Sequence, residues 1–155
     1  MIQLGSIPIT QPEAIREARK KVRLVVEAVT GNPVTATRLA TVTSEMARRL
    51  LHEAKSARID VALELGGRTQ KLTLAFVGTE RQSVTNLLAP FFDAIEGAGG
   101  ASGESVVRGL IRLPPGTVLD RARIASLEAI VQQKSRDELM AEIQATNVEL
   151  QDSLD

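Results

Sequence analysis

Apolar and polar positions alternate at the start of the chain, so residues 4–9 read as a short strand with Ile7 and Ile9 on one face. Pro8 cannot donate to a ladder and favours an edge position. The spacing then lengthens. Ile15, Ala18, Val22, Val25, Val26 and Val29 follow the helical period, and Gly31 sits where a C-terminal stop belongs. Thr10-x-x-Glu13, with Pro12 in the first turn, predicts where this helix begins. Arg16, Arg19, Lys20 and Arg23 fall on its outer face. A second helix is predicted from near Thr35 to about Ala54, with Leu39, Val42, Met46 and Leu50 at three- and four-residue steps.

The period next switches to two. Ile59, Val61, Leu63 and Leu65 alternate with Asp60, Ala62 and Glu64, and Gly66-Gly67 marks a turn. Leu72, Leu74 and Phe76 alternate again, so residues 58–77 predict an antiparallel hairpin with one face buried. Leu87, Leu88, Phe91, Phe92 and Ile95 predict a helix over residues 83–95. Gly97 to Gly103 predicts a flexible loop, and Val106 to Leu113 a further strand stopped by Pro114-Pro115-Gly116. Helix is expected from there onward, divided by a capping box at Ser135-x-x-Glu138. In the last segment Met140, Ile143, Asn147, Leu150 and Leu154 occupy an a-d-a-d-a heptad seam, and a lone Asn at an a position favours a parallel, in-register dimer. These five residues are the expected dimer interface, and the seam is expected to continue into an output domain.

The resulting expectation is α+β: a two-layer sandwich of helices on a mixed, mostly antiparallel sheet, with a C-terminal helical, coiled-coil extension. Residues 1–116 would form the domain, residues 117–155 a helical linker, and residues 137–155 its coiled-coil segment. Composition narrows the chemistry. The chain has no Cys and one His, which excludes disulfides, thiolate sites and cysteine nucleophiles and leaves no basis for a histidine metal site. Three Phe, no Trp and no Tyr leave no stacking platform for bases, so no nucleic-acid partner is expected. No apolar run approaches a membrane span and no signal peptide is recognisable, so the expected setting is cytoplasmic, without membrane insertion. Net charge is zero, yet the layout is uneven. Residues 1–58 carry ten basic and five acidic side chains, whereas residues 137–155 carry six acidic and no basic ones.

The stretch Arg38-Leu-Ala-Thr-Val-Thr-Ser-Glu-Met-Ala-Arg-Arg-Leu-Leu-His-Glu-Ala54, followed by Arg58-Ile-Asp-Val, carries a resemblance. Its segment Ser44-Glu45-Met46-Ala47-Arg48 resembles the first ATP-site motif of the bacterial anti-sigma regulatory factors. Those are serine/threonine switch kinases of the histidine-kinase-like ATPase superfamily, the GHKL or Bergerat fold, and the resemblance covers roughly residues 7–113. In that family the motif's Glu polarises the nucleophile, and an Asn one turn later holds Mg²⁺. An Asp-x-Gly-x-Gly after a strand receives the adenine amine, and a glycine-rich lid covers the triphosphate.

Matched residue by residue, Glu45 corresponds to the catalytic Glu, and Arg48 to a basic residue of the same helix. The Asn position is Arg49, whose guanidinium has no lone pair for a cation, although it could pair with a phosphate. The adenine Asp falls on Gly78, and Gly78-Thr-Glu-Arg-Gln82 lacks both the Asp and the paired glycines. The resemblance therefore implies a degenerate ATPase fold in which Glu45 is vestigial and Arg48 and Arg49 are candidate nucleotide or anion contacts. His52 has no Ser–Asp constellation beside it. The expected role is a non-catalytic regulatory module of a bacterial multidomain signalling protein. It would dimerise through the C-terminal helix, act on a protein partner or output domain, and need no cofactor or metal. The alternative is an active, ATP- and Mg²⁺-dependent serine/threonine kinase acting as an anti-sigma regulatory factor, which rests on Glu45.

Overall fold

The computed structural model describes residues 1–53, 57–66, 68–78, 86–99, 105–133, 139–140 and 143–148. The described elements run β1 (Ile2–Ile9), α1 (Glu13–Thr30), α2 (Pro33–Glu53), β2 (Ala57–Glu64), β3 (Lys71–Val77), β4 (Ala94–Gly99), β5 (Ser105–Arg112) and α3 (Arg121–Gln132). The strands form one sheet in the order β1-β2-β3-β5-β4. Each of its four pairings is antiparallel, so the sheet is not mixed as expected. The α+β class and the layering of helices on a sheet hold.

The apolar periodicities explain the layers. Ala18, Val22, Val25, Val26 and Val29 on α1 and Leu39, Val42, Met46 and Leu50 on α2 are all buried in one core. Burying each Val or Leu contributes roughly 1.5–3 kcal/mol relative to leaving it exposed. In the β2–β3 hairpin, Ile59 faces Phe76, Val61 faces Leu74 and Leu63 faces Leu72, and all six join that core. The reverse face is not simply solvated. Ala62, Thr73, Ala75 and Val77 are buried there too, in a shallow hollow rimmed by Gln3, Arg58, Asp60 and Arg108. Small side chains in the centre let the longer ones around them close over the sheet. Asp60 anchors that rim, accepting from Ser6 Oγ at 2.5 Å and from Arg58 Nε at 3.2 Å.

Three local expectations need correction. Thr10 does not cap α1; Pro12 is its N-cap, without a side-chain cap bond, because the helix begins three residues beyond Thr10 at Glu13. Its other end is as read: Gly31 takes φ 65° and donates to the Glu27 carbonyl at 2.9 Å. Residues 83–95 are not one helix. A turn of helix at 86–88 stops before Pro90, whose ring would clash with the carbonyl four residues back if the helix continued. Phe91 N–H closes the turn on the Leu88 carbonyl, Asp93 N–H bonds the Leu110 carbonyl, and Ile95 lies in β4. The glycine-rich stretch is strand at its start, where Gly97 pairs with Val107 and Gly99 with Ser105. Residues 100–103 of that stretch lie outside the described residues.

Residues 117–155 are not uniformly a linker. Leu127 and Val131 of α3 are buried in the same core as α1 and α2, so the packed body reaches at least to Val131. Asp120 caps α3 by accepting from Arg123 N–H at 2.8 Å. The other end of α3 is clasped to β1, where Gln132 Nε2 donates to the Leu4 carbonyl at 2.9 Å. A β-bulge at this point leaves Leu4 unpaired and rotates it to the buried side with Ile7 and Ile9. Gly5 has φ 150°, and a Cβ there would meet Val131 Cγ1 at 2.9 Å. Only glycine admits the helix this close.

Candidate functional site

Helix α2 is the element on which the sequence placed its chemistry. Glu45 and Arg48 are both half exposed and bonded to each other as an i, i+3 pair, so the carboxylate is already engaged by a guanidinium of its own helix. Arg49 is partly buried and His52 exposed. The donor set on this part of α2 is two guanidiniums and one carboxylate held by one of them. Guanidinium has no lone pair for a metal, so these residues do not fit a Mg²⁺ bridge to phosphates. Thr79 to Gln82, where the adenine contact was sought, and the Ser135 capping box lie outside the described residues. Among the described residues, no group of three His, Asp or Glu side chains comes together as a metal cluster.

At its opposite end α2 borders a cavity of about 380 Å³. The α1–α2 connection supplies Thr30 and Asn32, and the first turns of α2 supply Thr35 and Arg38. The turn before β4 supplies Pro90, Phe91, Phe92 and Asp93, and the end of β5 supplies Ile111 and Arg112. Asn32 caps α2, its Oδ1 accepting from Val34 N–H at 3.0 Å and Thr35 N–H at 3.3 Å. Thr30 Oγ1 donates to the Val26 carbonyl at 2.6 Å, which fixes the other side of the connection.

The aromatic wall is built in. Phe92 is buried, its ring edge-on to Phe76 with centroids 6.4 Å apart. It seats against Gly109, where an added Cβ would come within 2.5 Å of the ring. Asp93 Oδ2 accepts from Arg112 N–H at 2.7 Å, tying the turn to β5. Phe91 is partly exposed at the mouth, and the Arg38 guanidinium lies 5.4 Å from its ring centroid. Two of the chain's three Phe residues thus line one cavity, and the third supports it.

The cavity is not anticipated from the sequence, although three signals in the chain point towards it. Asn32-Pro33 is a helix start two residues ahead of the one inferred. Pro90 inside a helical spacing marks a break. Gly109 inside a strand marks a close approach by another group.

The third feature is the C-terminal segment. Residues 139–140 and 143–148 are helical. Leu139, Met140, Ile143 and Val148 are each between 47% and 57% exposed. Asn147 is exposed as well, and Leu150 and Leu154 lie outside the described residues. Among the described helices none is long and apolar enough to cross a membrane. No family model and no curated protein matches this chain.

Proposed function

We propose that the chain is a non-catalytic regulatory module of a larger signalling protein, self-associating through its C-terminal helix. The observation that carries this reading is the exposure of Met140 and Ile143, the a and d positions of the seam, on a helix outside the core. An ordinary surface helix turns such residues inward. A two-stranded coiled coil needs them outward, with Asn147 at an a position setting register and strand number. The acidic surroundings of this seam lack basic residues for intrachain pairing along the helix.

The resemblance to anti-sigma regulatory factors supports a degenerate ATPase fold as the body of the module. Glu45 bonded to Arg48, and Arg49 where the family places its Mg²⁺ ligand, favour this reading over a working kinase. Under it, phosphoryl transfer is absent and the module acts on a protein partner or an output domain through the paired helices.

Sedimentation velocity on the full chain and on Ile143→Glu tests the association. The full chain is expected to sediment as a dimer and the variant as a monomer. A dimer that survives Ile143→Glu places the interface elsewhere. Calorimetric titration with Mg-ATP tests the lost activity separately: no binding tighter than about 100 μM is expected, equivalent to roughly −5.5 kcal/mol. Tighter binding would restore the kinase reading.

A further inference from the structure

Arg38 carries a charge that no ion pair neutralises among the described residues. Its guanidinium is set against the Phe91 ring at the mouth of the 380 Å³ cavity. Attraction to a ring holds a guanidinium in place while leaving its five N–H donors without an acceptor. Asp93 is the one carboxylate lining the cavity, and its Oδ2 is already taken by Arg112 N–H. The α2 N-terminus is satisfied by Asn32, so the side chain of Arg38, rather than the helix end, is the partner offered to an anion.

Size and lining narrow the class further. A volume of about 380 Å³ is far more than a bare phosphate or sulfate fills and falls within the range of small-molecule sites, roughly 300–1,000 Å³. Pro90, Phe91, Phe92 and Ile111 present apolar and aromatic surface beside the guanidinium. Polar groups make up the larger share of the lining, with Thr30, Asn32, Thr35, Asp93 and Arg112 beside Arg38, so the apolar surface is one strip of the wall. Here the wall is rigid, since Phe92 is locked between Phe76 and Gly109.

We propose that this cavity is a binding site for a small aromatic carboxylate whose ring lies along the apolar strip of the wall. The carboxylate pairs with Arg38, and the ring lies against Phe91, Pro90 and Ile111. The site is separate from the Glu45–Arg49 region, since Arg38 and Arg49 stand eleven residues apart on α2, about 16 Å along its axis. It also stands independently of self-association, whose failure would appear in sedimentation and leave this cavity unchanged.

The test is a titration of the ¹⁵N-labelled full chain with 1-naphthoate, followed by amide chemical shifts. 1-Naphthamide serves as the uncharged counterpart and inorganic phosphate as the bare anion. Naphthoate is expected to move the amides of Thr35, Asp93 and Arg112, saturating with a Kd below about 1 mM. Arg38→Gln is expected to weaken it about tenfold or more, the loss of a charge-assisted pair. Arg38→Lys keeps the charge without the planar fork and is expected to retain part of that affinity. The proposal is overturned if naphthamide or phosphate binds as tightly as naphthoate. Undiminished affinity in Arg38→Gln, a Lys variant no better than the Gln one, or unmoved amides overturns it equally.

Discussion

Thr43 places a hydroxyl in the interior of the core without a hydrogen-bond partner, and among the described residues its Oγ1 is the one buried side-chain atom so left. An unsatisfied buried polar group costs about 1–3 kcal/mol, whereas a methyl of similar shape costs nothing to desolvate. Thr43→Val is therefore expected to stabilise the protein by about 1 kcal/mol, read as a higher urea midpoint at unchanged m value. Glu45 invites the opposite expectation. Its exposed pair with Arg48 contributes a few tenths of a kcal/mol at most. Glu45→Gln should leave the urea midpoint almost where it was, and a substantial drop would show that the carboxylate does more than pair on its own helix. At Gly109 the margin is steric. Gly109→Ala drives a methyl into the Phe92 ring and is expected to cost about 1–3 kcal/mol while disturbing the cavity wall. Residues of this kind were only partly legible in the sequence. Glu45, Arg48 and Arg49 stand out because they lie in or beside the Ser44–Arg48 motif, whereas Arg38 opens the same stretch outside it and has no role there. It became visible once the fold brought Phe91 to it from a turn more than fifty residues away.

Among the elements, those with one unbroken period were read almost to the residue. The β2–β3 hairpin, α2 and the C-terminal end of α1 show it. Spacing misleads where two physical demands share it. Leu87, Leu88, Phe91, Phe92 and Ile95 mimic a helix, yet Pro90 forbids one, and burial of Leu88 and Phe92 is met by a turn leading into β4. Gly97 and Gly99 signalled a loop because glycine is rare in strands, although a sheet edge next to β5 tolerates them. The place of α3 was hidden for another reason: Leu127 and Val131 reveal nothing about which surface they cover until the bulge in β1 is seen. Gly5→Ala tests that contact. A Cβ against Val131, at a φ that L side chains rarely adopt, should cost about 1–3 kcal/mol and lower the thermal midpoint by several degrees. An unchanged midpoint would mean that α3 can stand away from the strand without loss.

At the scale of the molecule, a net charge of zero is the sum of unlike regions. The outer face of α1 carries exposed Arg16, Arg19, Lys20 and Arg23, none ion-paired among the described residues, while residues 137–155 are acidic throughout. Opposite charge on body and tail makes any contact between them sensitive to salt. The body extends beyond the break at Pro114-Pro115-Gly116, where composition suggested that it would end. A chain ending at Gly116 should lose the buried Leu127 and Val131 and the cover they give β1, and is expected to unfold without a cooperative transition. A sharp two-state melt from that shortened chain would show that α3 is dispensable.

The clasp between Gln132 and the Leu4 carbonyl has a consequence in time as well as in space. Its partners are 128 residues apart in sequence, and β1 itself pairs with β2 across the whole of α1 and α2. A nascent chain emerges from the ribosome at roughly 5–20 residues per second, so β1 waits several seconds for both of its neighbours. Helices α1 and α2, joined by two residues, can pair as soon as they are made. The first strand synthesised is thus among the last to be enclosed, and the Leu4 carbonyl gains its clasp only when residue 132 arrives. Long-range closure of this kind slows folding.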